Sequence, residues 1–165
     1  LNTNELLTLN QVSKLEYLND CIRESMRLWP TAHGVARTTV QDIHYEGFTI
    51  PAGKLVQCNF YAMCRQPWIY KANEFIPERW SPDFYVKHQN EVNPQQLNDL
   101  KEMFMPFALG HRNCIGQNMA MVQLRLLSAN FLKHYEFELV EEVTFEIALL
   151  MKPEKLMMRV KRRSV

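Results

Sequence analysis

Leu15, Leu18, Ile22, Met26 and Trp29 recur at steps of three or four residues, the period at which apolar side chains line one face of a helix. Ser13 followed by Glu16 has the spacing of a capping box, so the helix is predicted to begin with Ser13 as its N-cap. It stops at Pro30, which has no amide hydrogen with which to continue. Beyond it come short β-type runs. Residues 35–40 and 43–45 read as strands, Glu46-Gly47 as a tight turn, 48–50 as a return strand, Pro51-Ala52-Gly53 as a second turn and 55–59 as a fourth strand. Aromatic residues then crowd an irregular stretch (Phe60, Tyr61, Trp68, Tyr70, Phe75 and Trp80) broken by Pro67 and Pro77. Residues 81–101 are polar, carry Pro82, Pro94 and Gln95-Gln96, and read as a surface insertion or long loop. A second helical stripe follows at Met119, Val122, Leu126, Ala129 and Leu132. The chain closes on β-type runs at 137–140, 143–149 and 156–160, with Lys152-Pro153-Glu154 as the turn between the last two.

Composition changes this picture little. A chain of 165 residues, 47% hydrophobic and 22% charged, has the makeup of one ordinary globular domain. Its net charge of +1 makes no case for nucleic acid or an anionic membrane surface as partner. The short basic run from Arg159 to Arg163 reads as a solvated terminus. No apolar run approaches the roughly 18 residues that span a bilayer, and the start at Leu1 rather than Met suggests a missing N-terminus. Cys21, Cys58, Cys64 and Cys114 form no CxxC pair and no disulfide framework, which fits a reduced, intracellular setting.

One stretch carries chemistry. Residues 107–116 read F-A-L-G-H-R-N-C-I-G, and of the chain's 5 glycines two, Gly110 and Gly116, bracket Cys114 there. Glycine goes where a backbone turns through positive φ or approaches another group closely. A cysteine on such a turn, ahead of a helix, sits among backbone N–H donors at the positive end of the helix dipole. Cys114 is therefore expected to be a metal-bound thiolate. His111 and Cys114 form an H-x-x-C, but no second close ligand pair completes a zinc site. Glu24 and Arg27 lie one helical turn apart, and on the residues alone they read as an exposed pair contributing about 0.2–0.5 kcal/mol. Arg37, in the first strand, reads as solvent-facing.

Glu24-x-x-Arg27, Pro77-Glu78-Arg79-Trp80 and Phe107-x-x-Gly110-x-Arg112-x-Cys114-x-Gly116 stand in that order along one chain. In this combination, from about residue 15 to residue 160, the chain resembles the C-terminal portion of the cytochrome P450 family, the haem-thiolate monooxygenases. The resemblance implies a mainly α fold with small β-sheets: a Glu-x-x-Arg helix, a short-strand region, a meander, the cysteine loop, a long helix and terminal strands. Residues 1–165 would be the haem-ligand portion of a single domain whose N-terminal part, with its distal helix, is absent.

The resemblance also implies the site. Haem b would be held by Cys114 as axial ligand, a thiolate that pushes electron density onto the iron. Gly110 and Gly116 would let backbone approach sulfur and porphyrin, and Phe107 would pack on the proximal face of the ring. Arg112 and Arg37 would pair with the propionates. Glu24, Arg27 and Arg79 would form a buried ionic cluster supporting the loop. Ala32, His33 and Val35 fall where the family turns its chain towards the substrate cavity. The implied reaction inserts one oxygen atom of O2 into a small organic substrate, with electrons from NADPH through a flavoprotein reductase. Arg125 and Lys133 could belong to the basic face that docks this donor. The M-P-F-A-L-G and P-E-R-W forms resemble eukaryotic membrane-bound members, implying an upstream anchor in the endoplasmic reticulum membrane and a cytoplasmic-facing domain. A non-catalytic haem-binding protein or inert fragment, and a haem-thiolate isomerase or dehydratase, would share the loop. The segment alone is expected to be inactive.

Overall fold

The computed structural model describes residues 5–148 and 150–163, so Leu1 and the end of the predicted 143–149 strand, Leu149, lie outside the described residues. A short helix α1 (Leu9–Val12) leads into α2 (Glu16–Leu28). Ser13 does not cap α2. It closes α1, with its hydroxyl donating to the Asn10 carbonyl at 3.0 Å, and Leu15 precedes α2. The reciprocal capping arrangement sits one turn earlier, where the Thr8 amide donates to Gln11 Oε1 at 2.8 Å.

Burial on α2 also departs from the apolar stripe. Leu15 and Trp29 remain exposed, while Ile22, Glu24, Arg27 and Leu28 are buried. The face that α2 turns inward thus carries two charged side chains beside two apolar ones. Arg65, folded over the Tyr61 ring at 3.7 Å, donates to the last carbonyl of α2, that of Leu28. A cation there meets the negative end of the helix dipole.

The strand region follows the sequence pattern closely. β1 (Gly34–Thr38) pairs antiparallel with β4 (Leu55–Asn59), with Gly34 opposite Asn59 and Thr38 opposite Leu55. Between them β2 (Ile43–Tyr45) and β3 (Phe48–Ile50) form a hairpin across Glu46-Gly47, both at positive φ. One turn of helix, α3 (Phe60–Met63), then opens the irregular stretch, which includes a 3-10 turn at Pro77–Trp80.

Residues 81–101 are not a loop. They hold α4 (Phe84–Lys87) and all but the last two residues of α5 (Pro94–Met103). Asn93 accepts from the Gln95 amide at 2.8 Å while its own amide donates to Gln96 Oε1 at 3.0 Å, and Pro94 takes the first helical position. Proline is preorganised for that place because its missing N–H has no partner there anyway. Leu97 and Leu100 turn inward from α5. The core is divided into two small clusters. Cys64, Ile69 and Leu100 pack with Ala72, Trp80 and Met103; Phe84, Val92 and Leu97 pack with Tyr70 and Ile76.

The long helix α6 (Gln117–His134) leads to β5 (Tyr135–Leu139), β6 (Thr144–Ile147), β7 (Met151–Lys155) and β8 (Met158–Arg162). β5 pairs with β8 and β6 with β7, both antiparallel. Lys152-Pro153-Glu154, expected as a turn, lies inside β7. Pro153 is tolerated because β7 has a partner on one side only, among the described residues, and pairs with Phe145 at an irregularity in the register. The Met151 amide donates to the Thr31 carbonyl at 2.7 Å, and Trp29 stacks on Phe145 with centroids 5.8 Å apart, so these terminal strands lie against the end of α2. No described helix is long and apolar enough to cross a membrane.

Candidate functional site

Glu24 is the centre of a closed ionic cluster. Its Oε1 accepts from Arg27 Nη2 at 2.8 Å, Arg79 Nε at 2.9 Å and the Ile76 amide at 3.0 Å. Its Oε2 accepts from Arg27 Nε at 2.9 Å and Trp80 Nε1 at 2.9 Å. The side chains of Glu24, Arg27 and Arg79 are wholly shielded from solvent. Burial pushes the Glu24 carboxyl up, but the Arg27 hydrogen bonds, the Arg79 charge and the Ile76 amide outweigh it and hold it below the ordinary glutamate value.

The arginines spend their remaining donors on main-chain carbonyls. Arg27 reaches Cys64 at 2.8 Å, Ala72 at 2.6 Å and Glu74 at 3.0 Å; Arg79 reaches Tyr70 at 2.8 Å and Lys71 at 3.2 Å. These bonds give an irregular segment, which has no ladder of its own, fixed partners for its carbonyls. They bind it to α2 at the same time. A buried pair broken on one side costs about 3–5 kcal/mol, far above the worth of an exposed pair.

The cysteine loop is built differently. The Cys114 amide donates to the Phe107 carbonyl at 2.9 Å, closing the loop on itself, and Asn113 donates to Gly110 at 3.1 Å. Ala108 and Gly110 both lie at positive φ, +59° and +75°, which turns the chain back sharply enough for that closure. Cys114 stands two residues before Gly116, the N-cap of α6, and its thiol side chain is exposed. Gly116 has φ −85°, and a Cβ there would meet nothing nearer than the Cys114 sulfur at 3.8 Å. The chain itself therefore has room for a larger residue; what a side chain would intrude on is the space beside the sulfur.

This donor set fits a haem. Among the described residues no group of three or more His, Cys, Asp or Glu converges on a metal position, so Cys114 would be a solitary protein ligand. An iron held by one thiolate must bring its other donors with it, as a porphyrin does. Ile115, next to the thiol, is fully exposed, so apolar surface is at hand for a flat apolar ring. Arg112 and Arg37 are exposed and, among the described residues, make no ion pair; Arg37 donates to the neighbouring Ala36 carbonyl at 2.8 Å. Both guanidinium groups are free to take carboxylates.

The remaining predicted residues occupy the turn from α2 into β1. Ala32 and Val35 are half-buried, and Val35 lies opposite Cys58 in the β1–β4 register. His33 accepts the Tyr61 amide on its carbonyl at 3.3 Å, and its Nδ1 is buried without a hydrogen-bond partner among the described residues. No hydrogen bond or ion pair among the described residues joins this turn or Arg37 to the cysteine loop. Arg125 Nε donates to Asn19 at 2.7 Å and Lys133 to the Glu5 carbonyl, so the first ties α6 to α2 and the second ties it to the segment before α1. An open groove of about 650 Å³ runs between α2, α6 and the loop, with Arg23, Met26, Phe104, Phe107 and Arg125 among its walls.

Sequence reasoning assigned no role to Trp80 or to the Ile76 amide, both of which bind Glu24. The signal for Trp80 was present: an indole beside a motif arginine needs a partner for its N–H once buried. A main-chain amide leaves no such mark in a sequence.

Comparison with known proteins places the whole chain. The sequence profile of the family described as Cytochrome P450 matches residues 1–165. Cytochrome P450 3A6 of Oryctolagus cuniculus is 32% identical over 161 residues, covering 94% of this chain and 30% of the relative. Cytochrome P450 monooxygenase tpcB of Cochliobolus heterostrophus is 36% identical over 137 residues, covering 82% of this chain and 26% of the relative. Among solved structures, the cytochrome P450 CYP102L1 superposes with a TM-score of 0.79 at 29% identity, covering 98% of this chain and 35% of that one. The retinoic-acid-bound cyanobacterial CYP120A1 superposes with a TM-score of 0.80 at 25% identity over 95% of this chain. The chain thus spans about 30% of the length of the curated relatives it matches.

Proposed function

The chain belongs to the cytochrome P450 family, and on that footing we propose that it is the C-terminal, haem-ligand portion of a haem-thiolate monooxygenase domain, with Cys114 as axial ligand. The observation that carries this reading is the loop itself: a solitary exposed thiol on a backbone turn closed by the Phe107–Cys114 bond, at the start of α6. When bound there, haem b supplies the oxygen chemistry, which belongs to the cofactor rather than to the protein.

The chain's own residues bind and orient. Cys114 donates electron density through sulfur. Gly116 keeps the space beside that sulfur clear, and Gly110 lets the loop turn. Phe107 packs on the proximal side of the ring, and Arg112 and Arg37 pair with the propionates. Glu24, Arg27 and Arg79 hold the scaffold on which the loop rests. Ala32, His33 and Val35 face a small organic substrate, His33 through the ring nitrogen left without a partner. Electrons come from NADPH through a flavoprotein reductase, and the full-length protein sits on the cytoplasmic face of the endoplasmic reticulum membrane.

The full-length protein tests this. Mixed with a flavoprotein reductase, NADPH and carbon monoxide, it is expected to be reduced and to show the red-shifted Soret band of thiolate-ligated haem. Haem that reduces but never shows that band would overturn Cys114 as ligand. Haem that shows the band when reduced with dithionite but accepts no electrons from the reductase would overturn the monooxygenase reading in favour of an isomerase, a dehydratase or a non-catalytic haem-binding protein.

A further inference from the structure

No residue from 105 to 114 is buried, so the cysteine loop has no core of its own. Whatever fixes it must enter through its ends. One end is α6. The other is Phe104, where α5 stops, its amide still on the Leu100 carbonyl at 2.9 Å.

Trp80 stands between that end and the ionic cluster. Its ring lies 4.6 Å from the Phe104 ring, centroid to centroid, at a tilt of 51°. Its indole N–H donates to Glu24 Oε2 at 2.9 Å. Among the described residues Oε1 of the carboxylate has three donors, whereas Oε2 has only Arg27 and Trp80, so the indole holds half of one oxygen's partners. A hydrogen bond to a charged acceptor is about twice as strong as a neutral one. It fixes the plane of the indole as well as its position. The same ring packs on the Cys64, Ile69 and Leu100 cluster, where the Cys64 thiol meets the Met103 carbonyl at 3.6 Å. The last turn of α5 is therefore seated on a ring that is itself anchored to Glu24.

We propose that Trp80 is a positioning residue for Cys114: it carries the order of the ionic cluster through Phe104 into the loop that presents the thiol. The proposal rests on reading Cys114 as the haem ligand, and it gives the indole a role distinct from that of the two arginines. The arginines fix carbonyls of the irregular segment; Trp80 fixes the entrance to the loop.

The two links can be cut separately in the full-length haem protein. Phe104→Leu removes the ring contact and leaves the indole on Glu24; Trp80→Phe removes the N–H and leaves a ring against Phe104. Hydrogen exchange of peptides covering 105–114 and 16–28 reads the loop and α2 independently, and the reduced carbon monoxide spectrum reads the thiolate. Each variant is expected to speed loop exchange about tenfold with α2 unchanged. Each also moves part of the haem from the thiolate band to the blue-shifted band of haem that has lost its sulfur. Because the links are in series, the double variant adds little to either single one. Unchanged loop exchange and an unchanged band in both variants would overturn the proposal, as would equal acceleration of α2 and loop in Phe104→Leu. If the unsubstituted protein shows no thiolate band, the ligand assignment fails. The exchange measurement then still decides whether Trp80 orders the loop.

Discussion

Glu24, Arg27 and Arg79 carry charge and are at most 2% exposed, whereas Ile115, Leu109 and Met119 are apolar and face solvent, Ile115 completely. The two regions lie in one chain and obey opposite burial rules. Around Glu24 every donor and acceptor finds its partner within the described residues, so the charges are compensated locally and burial is tolerated. Around Cys114 these apolar side chains stay largely uncovered among the described residues. α6 extends the contrast: Ala129 is its one buried residue, while Leu127, Phe131 and Leu132 stand out in solvent. A helix that is apolar on most of its surface belongs inside a larger body. We read the closed region as a scaffold complete in itself, and the open one as the surface completed by haem and by the rest of a full-length P450.

The most damaging way to break this contrast is to uncompensate the closed region. Glu24→Gln leaves two buried arginines without their carboxylate and is expected to cost about 3–5 kcal/mol. In the full-length protein that should abolish stable haem incorporation, read from haem content and the denaturant midpoint. Full haem occupancy would reduce the cluster to the standing of a surface pair.

The open region is tested next. Leu127, more than half exposed here, is expected to be covered in the full-length protein, where Leu127→Ala should lower stability by about 2–5 kcal/mol. A change within about 0.5 kcal/mol would mean that this face of α6 is true surface.

Acid sharpens the comparison further. The Glu24 carboxyl is held below its ordinary value when folded, so the folded state favours its ionised form. The stability that this contributes is complete above the unfolded pKa of about 4.3 and is lost as pH falls through the folded pKa. Acid unfolding of the wild type should therefore steepen below about pH 4. Glu24→Gln should lack that component.

The smallest effect belongs to charges that stay wet. Arg159 and Glu138 meet at 2.6 Å, closer than any pair in the cluster, yet both are about two-thirds exposed. Arg159→Ala should shift stability by at most about 1 kcal/mol, measured by thermal melting. Burial, not distance, decides what an ion pair is worth.

Much of the architecture was readable from residue pattern alone. β2, β3 and β4 fall where alternation and the Glu46-Gly47 and Pro51-Ala52-Gly53 turns put them, because short hairpins are determined by local turn chemistry. α5 was missed although Asn93, Pro94 and Gln96 spell its start. With Leu97 and Leu100 as its only buried residues, it shows too little apolar periodicity in a polar segment. Ser13 and Glu16 have capping-box spacing but no cap, because the chain is already helical at α1. Within the site, the side-chain motifs were visible and their burial was not. Glu24 and Arg27 look the same in sequence whether wet or dry, and their fate depends on carbonyls at Cys64, Ala72 and Glu74 that carry no sequence signal.

The central claim is that the open thiol exists to hold iron. X-ray absorption at the iron edge of the resting full-length protein addresses it directly. The account predicts one sulfur among the ligands of the iron, lost in Cys114→Ser while Cys64→Ser leaves it in place. A sulfur signal that survives Cys114→Ser, or its absence from the unsubstituted protein, would contradict the account.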